Sequence, residues 1–252
     1  MRQLHISFSL VGIVLLAAAC TPTLPSRDRS DLNISEGGLV GEIQLFDAVT
    51  AIQDRWEDLL LPKRKRTQYR LTFHDGRIAI GATGRESASG LFRWVEVDPQ
   101  KCPVLEWLWY VKQLQSDADL HDKEKEDVAA SIFLLFGDPG FISNPNPVPT
   151  LRYVWTTDRH PVDTIIDNPY LPGIVRSIVV ESGTKNVGRW VRERRNVVED
   201  FTKAFGYPPE ENIHAITLFT DNDQTKQEVE AYYGWARVTC NVYTTVIAPF
   251  QD

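Results

Sequence analysis

From about residue 39 onward, apolar and polar residues alternate in short runs, the period-two pattern of strands with one buried face. The clearest case is 67–82 (TQYRLTFHDGRIAIGA). Thr67, Tyr69, Leu71 and Phe73 share one side, Asp75-Gly76 supplies turn chemistry, and Ile78 and Ile80 return on the second arm. This predicts a β-hairpin. Alternation continues through 91–97 and 104–112, where Leu105, Trp107, Trp109 and Val111 fall together. The run 128–136 (VAASIFLLF) is apolar on both sides and reads as a central strand. Further strands fit 151–156, 174–181, 188–193, 213–220 and 235–247. One segment breaks the pattern. Over 195–205, Val197, Val198, Phe201, Ala204 and Phe205 form a helical stripe that Gly206 and Pro208-Pro209 terminate. About ten strands with one short amphipathic helix predict a mainly β fold, a jelly-roll-like antiparallel β-sandwich. No fixed repeat and no long Pro/Gly-rich break divides the chain, so 39–252 is expected to be one domain.

The N-terminus follows different rules. Arg2 precedes an uncharged stretch, Ile6 to Ala19, and then Cys20. A cationic start, a short apolar run and small residues before a cut describe a signal peptide over 1–19. At ~1.5 Å per residue the apolar run reaches only about 21 Å, short of a ~30 Å hydrocarbon core. Leu16-Ala17-Ala18-Ala19-Cys20 resembles the lipobox of bacterial lipoproteins, with Ala17 where Leu, Val or Ile is usual. The resemblance implies a lipid-modified Cys20, and several acyl chains together hold a protein on a membrane where one does not. Lipoproteins of that kind tend to carry Asp after the cysteine when retained at the inner membrane. Thr21 points instead to the periplasmic face of the outer membrane. Residues 20–38 mix Pro, Ser, Asp and Gly without periodicity and read as a lipidated cysteine followed by a flexible tether.

The composition is 42% hydrophobic and 24% charged, enough apolar material for a core, and the formal charge is -7. So acidic a chain excludes nucleic-acid binding through a basic face. Three cysteines without a CxxC pair exclude a thiolate zinc site. Cys102 and Cys240 either pair, as an export signal permits, or stand as separate thiols on different strands.

The acidic stretch Asp117 to Asp127 reads as a solvated loop or, because hard cations need converging oxygens, as part of a structural Ca²⁺ site. Asp221 and Asp223 offer similar oxygens at a second loop, without EF-hand spacing. Arg192, Glu193, Arg194, Arg195, Glu199 and Asp200 form the densest charged group. They read as a network pinning the helix, with Arg195 and Glu199 paired at i,i+4, or as guanidiniums gripping a carboxylated ligand. Tryptophans at alternate strand positions are mostly core, which assigns Trp107 and Trp109 to the interior. Trp94 and Tyr110 are the better candidates for stacking on sugar rings, beside Arg192 and Arg194. The sequence contains no H-E-x-x-H, G-x-S-x-G or P-loop, and His74, His121, His160 and His214 are scattered. Paired carboxylates of a hydrolase or lyase would have to come from Glu106, Asp127, Glu181 or Glu193.

Several runs, in order, resemble a bacterial domain of unknown function, number 3047. They include Ser87-Ala88-Ser89-Gly90-Leu91, Pro103 to Trp109, Glu126-Asp127-Val128-Ala129-Ala130 and Tyr153-Val154-Trp155. Glu181-Ser182-Gly183, Arg194-Arg195-Asn196, Glu199-Asp200-Phe201 and Thr220-Asp221-Asn222-Asp223 continue the series. The likeness spans roughly 45–240, and this chain lacks the arginine that the pattern carries after Glu126-Asp127. The resemblance implies a secreted or lipid-anchored β-rich domain and supplies no reaction. The expectation is therefore a lipid-anchored cell-envelope protein binding a glycan or other envelope component, with a carbohydrate-active hydrolase or lyase as the rival.

Overall fold

The computed structural model describes residues 34–35, 38–49, 56–141 and 144–242. The signal segment, Cys20 and the last expected strand residues, 243–247, lie outside them. The chain forms a jelly-roll-like β-sandwich. Its first sheet holds β1 (Ile34–Ser35), β2 (Gly38–Asp47), β4 (Gln68–His74), β5 (Arg77–Gly84), β7 (Val104–Gln113), β14 (Trp190–Asn196) and β16 (Val229–Val242). The second runs, in spatial order, β12 (Ile165–Asp167), β13 (Val175–Ser182), β11 (Thr150–Thr156), β8 (Ala130–Phe136), β15 (Ile213–Asp221), β6 (Ala88–Val97) and β3 (Glu57–Leu60). A small pair, β9 (Gly140–Phe141) and β10 (Asn144–Pro145), and one helix, α1 (Val197–Phe205), complete it.

Strand β16 is the spine of the first sheet. Its start pairs with β5, its remainder with β2, and β7 follows its opposite edge before β14 closes the sheet. One named pair departs from the antiparallel expectation: β11 and β13 run parallel. The chain between them makes an excursion through β12, which returns it to the end of the sheet where β11 began.

The two inner faces meet in an aromatic core. Trp107, Trp109, Tyr153 and Trp155 are fully buried, as alternation assigned the first two. Trp107 lies 5.1 Å from Tyr153 and Trp109 lies 5.8 Å from Trp155, ring centre to ring centre, joining β7 to β11 across the sandwich. Contacts of this kind add ~0.5–1.5 kcal/mol each beyond the area they bury.

The hairpin forms as predicted, with Asp75 and Gly76 both at positive φ, 43° and 77°. Its outer half is not core, however. Phe73 is 72% exposed, and Leu71 and Ile78 are exposed too, while the tip residues His74 and Asp75 contact Tyr110, Tyr232 and Trp190 of the first sheet. The helix begins at Val197 rather than 195, since the Asn196 side chain accepts from the backbone N–H groups of Val198 and Glu199 at 3.1 and 3.2 Å. That cap leaves Arg195 in the strand and removes the expected Arg195–Glu199 pair. Arg195 binds Asp200 through two 2.8 Å hydrogen bonds and Asp163 through one of 2.7 Å. The Tyr153 hydroxyl donates to Asp200 at 3.0 Å, so the network does pin the helix to the core.

Cys102 and Cys240 are joined by a disulfide that closes a loop of 138 residues and ties the segment before β7 to the end of β16. A constraint on so long a loop contributes about 3–5 kcal/mol through the unfolded chain. Denaturant titration of Cys102→Ser with Cys240→Ser should show that loss. Equal midpoints for the double variant and the wild type would contradict it.

Candidate functional site

The outer side of the second sheet is unusually apolar. One register row places Phe92, Thr217, Phe133 and Arg152 side by side on β6, β15, β8 and β11. Phe219, one step further along β15, faces Gly90 on β6. A Cβ at Gly90 would stand 2.7 Å from Thr217 Cγ2 and 3.0 Å from the Phe219 ring, so glycine lets that ring lie across the sheet. Leu59, Leu61 and Pro62 form one bank and Tyr170, Leu171 and Ile174 the other. Pro147 and Val148, from the Pro-rich loop, contribute to the wall of the resulting groove, which has a volume of about 480 Å³.

One part of the groove is ionic. Arg152 is only 2% exposed and forms an ion pair with Glu126, which also accepts from the Asn168 side chain at 3.2 Å. Its guanidinium lies 5.2 Å from the Phe133 ring centre, and its Nε has no partner among the described residues. Asp221 accepts from Val128 N at 2.8 Å. Asp127 accepts from the Thr225 backbone and hydroxyl, both at 2.6 Å, and Asp223 pairs with Arg64 at 2.6 Å. Burial pushes the Asp221 carboxyl well above the usual range, opposed by Arg152 and reinforced by Glu126 and Asp127. Glu126 and Asp223 are raised by burial too, opposed by Arg152 and Arg64 respectively.

Oxygens of Asp127, Asp221 and Asp223 lie within 4.8 Å of one another, close enough to share a cation. Asp221 and Asp223 therefore do meet, with Asp127 of the acidic stretch as third member. The donor set suits a hard cation such as Ca²⁺, which would compete with Arg64 for Asp223. The end of the acidic stretch is thus buried, whereas its middle is a solvated loop as expected.

The expected ligand residues divide between the two outer faces. Trp94 stands on the groove side, 4.9 Å from Phe92, 41% exposed, with its Nε1 donating to Glu57 at 3.2 Å. Tyr110, Arg192 and Arg194 lie on the outside of the first sheet, where β14 pairs Trp190 with Tyr110 and Arg194 with Glu106. The single patch expected from all four does not exist, because β6 and β7 belong to different sheets. Phe133, Arg152, Asn168, Tyr170 and Phe219 were not singled out from the sequence. The two-sided apolarity of 128–136 and one arginine inside Leu151 to Trp155 were their signals.

Of the four carboxylates proposed for hydrolysis, Glu181 and Glu193 are the two that meet, at the opening between the sheets. Glu193 accepts from Trp109 Nε1 at 3.3 Å, and Glu181 is held by the Asn186 amide at 3.0 and 3.1 Å. Burial, and then the charge of Glu181, push the Glu193 carboxyl up to about 7.

These features define a class: a jelly-roll-like β-sandwich with a ligand-sized groove on one outer face. The chain belongs to the family described as "Protein of unknown function (DUF3047)", whose model matches residues 54–236. No curated protein matches it. Among solved structures, it is similar to the family 11 carbohydrate-binding module of the cellulosomal cellulase Lic26A-Cel5E of Clostridium thermocellum. The TM-score is 0.42 at 10% identity, over 81% of this chain and 98% of that one. It is also similar to endoglucanase cel12A from Rhodothermus marinus, with a TM-score of 0.40 at 7% identity over 71% and 89%. At such scores the likeness transfers neither ligand nor reaction.

The Glu193 shift has a testable sign. A folded-state pKa raised from 4.5 to about 7 means that the contribution of Glu193 to stability is full below about 4.5 and is lost as pH rises through 7. Glu193→Gln, which keeps the acceptor for Trp109 and needs no proton, should exceed the wild type by about 2 kcal/mol at pH 8, after discounting for partial exposure. Urea unfolding at pH 4 and pH 8 checks this. A variant no more stable than wild type at the higher pH would refute the assignment.

Proposed function

We propose that this protein is a lipid-anchored cell-envelope binding domain that holds a glycan chain in the groove of the second sheet, without catalysis. The groove carries the reading. A sugar ring presents an apolar C–H face and polar edges, and needs a flat apolar floor with hydrogen-bonding groups beside it. Phe92, Phe133 and Phe219 supply the floor, and Trp94 lies next to Phe92 on the same face. Asn168, Tyr170 and Gln224 supply polar groups.

Export and anchoring rest on the first twenty residues, with Cys20 as the lipidated position. The Cys102–Cys240 disulfide supports an oxidising compartment, where such bonds persist. The acceptor membrane is the outer one, facing the periplasm, on the strength of Thr21.

Two measurements test the proposal. On a glycan array and by calorimetry, the full chain should bind a neutral oligosaccharide. Phe133→Ala should weaken that binding about tenfold, the cost of losing one stacking platform, while the fold is kept. Absence of any neutral ligand would defeat the glycan reading, and release of reducing ends from a bound ligand would replace binding with hydrolysis. For the anchor, Cys20→Ser should move the protein from the membrane fraction to the soluble one. Unchanged fractionation would remove the lipid from the account.

A further inference from the structure

The outside of the first sheet carries a charge arrangement that the groove does not use. At its centre is Glu106 of β7, a carboxylate with 9% of its side chain exposed. Arg192 Nη2 stands 2.8 Å from both of its oxygens. Arg237 reaches it through Nε at 3.2 Å and Nη2 at 3.1 Å, and Arg194 Nε lies 3.8 Å away. Burial raises the Glu106 carboxyl, but the hydrogen bonds from Arg192 and Arg237 outweigh that and hold it below its ordinary range. Glu42, on Arg237 Nη1 at 3.0 Å, is the second carboxylate of the group. Three guanidiniums thus face two carboxylates, on a protein whose overall charge is -7.

The surplus is outward. The side chains of Arg192 and Arg194 remain 53% and 67% exposed, and their contacts with Glu106 engage one nitrogen each. The Trp235 ring supports Arg192 and Arg237, their guanidinium carbons 5.6 and 4.9 Å from its centre. One step along the strand pair, Trp190 and Tyr110 stand opposite each other with ring centres 5.5 Å apart. Their orientation is set by the hairpin tip beside them: Trp190 Nε1 donates to Asp75 O at 3.2 Å, and His74, stacked on Tyr232, lies edge-on to Tyr110 at 4.5 Å. Free guanidinium nitrogens beside pre-oriented aromatic rings match a planar carboxylate attached to a sugar ring.

We propose that this face is a second binding site, distinct from the groove, for a uronate-bearing glycan, with Arg192 and Arg194 gripping the carboxylate and Tyr110 and Trp190 flanking its ring. The probe is an oligogalacturonate, titrated into the full chain in detergent at low and high salt, with a neutral cello-oligosaccharide and phosphatidylglycerol vesicles as comparisons. Binding should weaken about tenfold in Arg194→Ala, whose side chain is largely solvent-exposed, and disappear in the double variant Arg192→Ala with Arg194→Ala. It should weaken with salt and be unchanged in Phe133→Ala, so failure here and failure of the groove reading are separable. Absence of oligogalacturonate binding, or equal binding by wild type and a folded Arg194→Ala, overturns the proposal. Arginine-dependent binding of the vesicles alone overturns it too, assigning the patch to anionic lipid.

Discussion

A guanidinium can be buried only with a carboxylate beside it, and the burial of Arg152 on the outer side of the second sheet dictates much of what surrounds it. Removing one member of such a pair typically costs ~3–5 kcal/mol, because the other is left charged and unpaired. Glu126 answers Arg152, and Asn168 answers Glu126, which draws the loop after β12 over the sheet. The next residue, Asp127, receives N–H groups from Gln224 and Thr225, and Asp221 receives that of Val128. Three separate loops therefore converge on one arginine. The loop after β12 carries Tyr170, Leu171 and Ile174 with it as one bank, which faces Leu59, Leu61 and Pro62 across Phe133 and Phe219.

The same carboxylates limit what that groove can do. Burial disfavours the charged forms of Glu126, Asp221 and Asp223, and Arg152 and Arg64 oppose that. Hydrolysis by paired acids needs two carboxyls free to face a scissile bond across ~5 Å or more. Here Asp127 is held by backbone N–H groups and Glu126 by Arg152, which is a structural use of acid side chains. Binding through an aromatic floor asks nothing of them beyond position.

What the sequence disclosed follows from what local pattern can encode. Alternation placed Trp107 and Trp109 in the core, because a residue's side of its own strand is a local property. It could not say which sheet a strand joins, so Trp94 and Tyr110, each correctly read as outward, were grouped although they lie on opposite faces of the sandwich. The apolar run 128–136 was central, as predicted, yet Phe133 and Leu135 serve the groove rather than the core. Leu71 and Phe73 show the reverse: their alternation was sound, but both are exposed. Arg195 was separated from Glu199 by Asn196, whose short amide side chain outcompetes the helix for its own first turn. Arg152 was least legible, since nothing local marks one strand arginine as buried when its partner lies 26 residues away.

Position along the first sheet gives the disulfide a further meaning. Within the stretch read as a tether, Ile34–Ser35 already form β1 against the start of β2, so any pull on the domain from its N-terminal side is delivered to β1 and then to β2. In the register with β16, Gly41 of β2 lies opposite Cys240, which is bonded to Cys102 before β7. A strand pulled along its length is resisted by all of its ladder bonds together, whereas a strand peeled from one end loses them one at a time. The disulfide cannot prevent β2 from peeling, because it does not involve that strand. It does tie β16 to the segment before β7. Yet β2 is itself part of the core, through the buried Leu45 and Phe46, and of the charged face, through Glu42 on Arg237, so losing it would disturb both even with the disulfide intact.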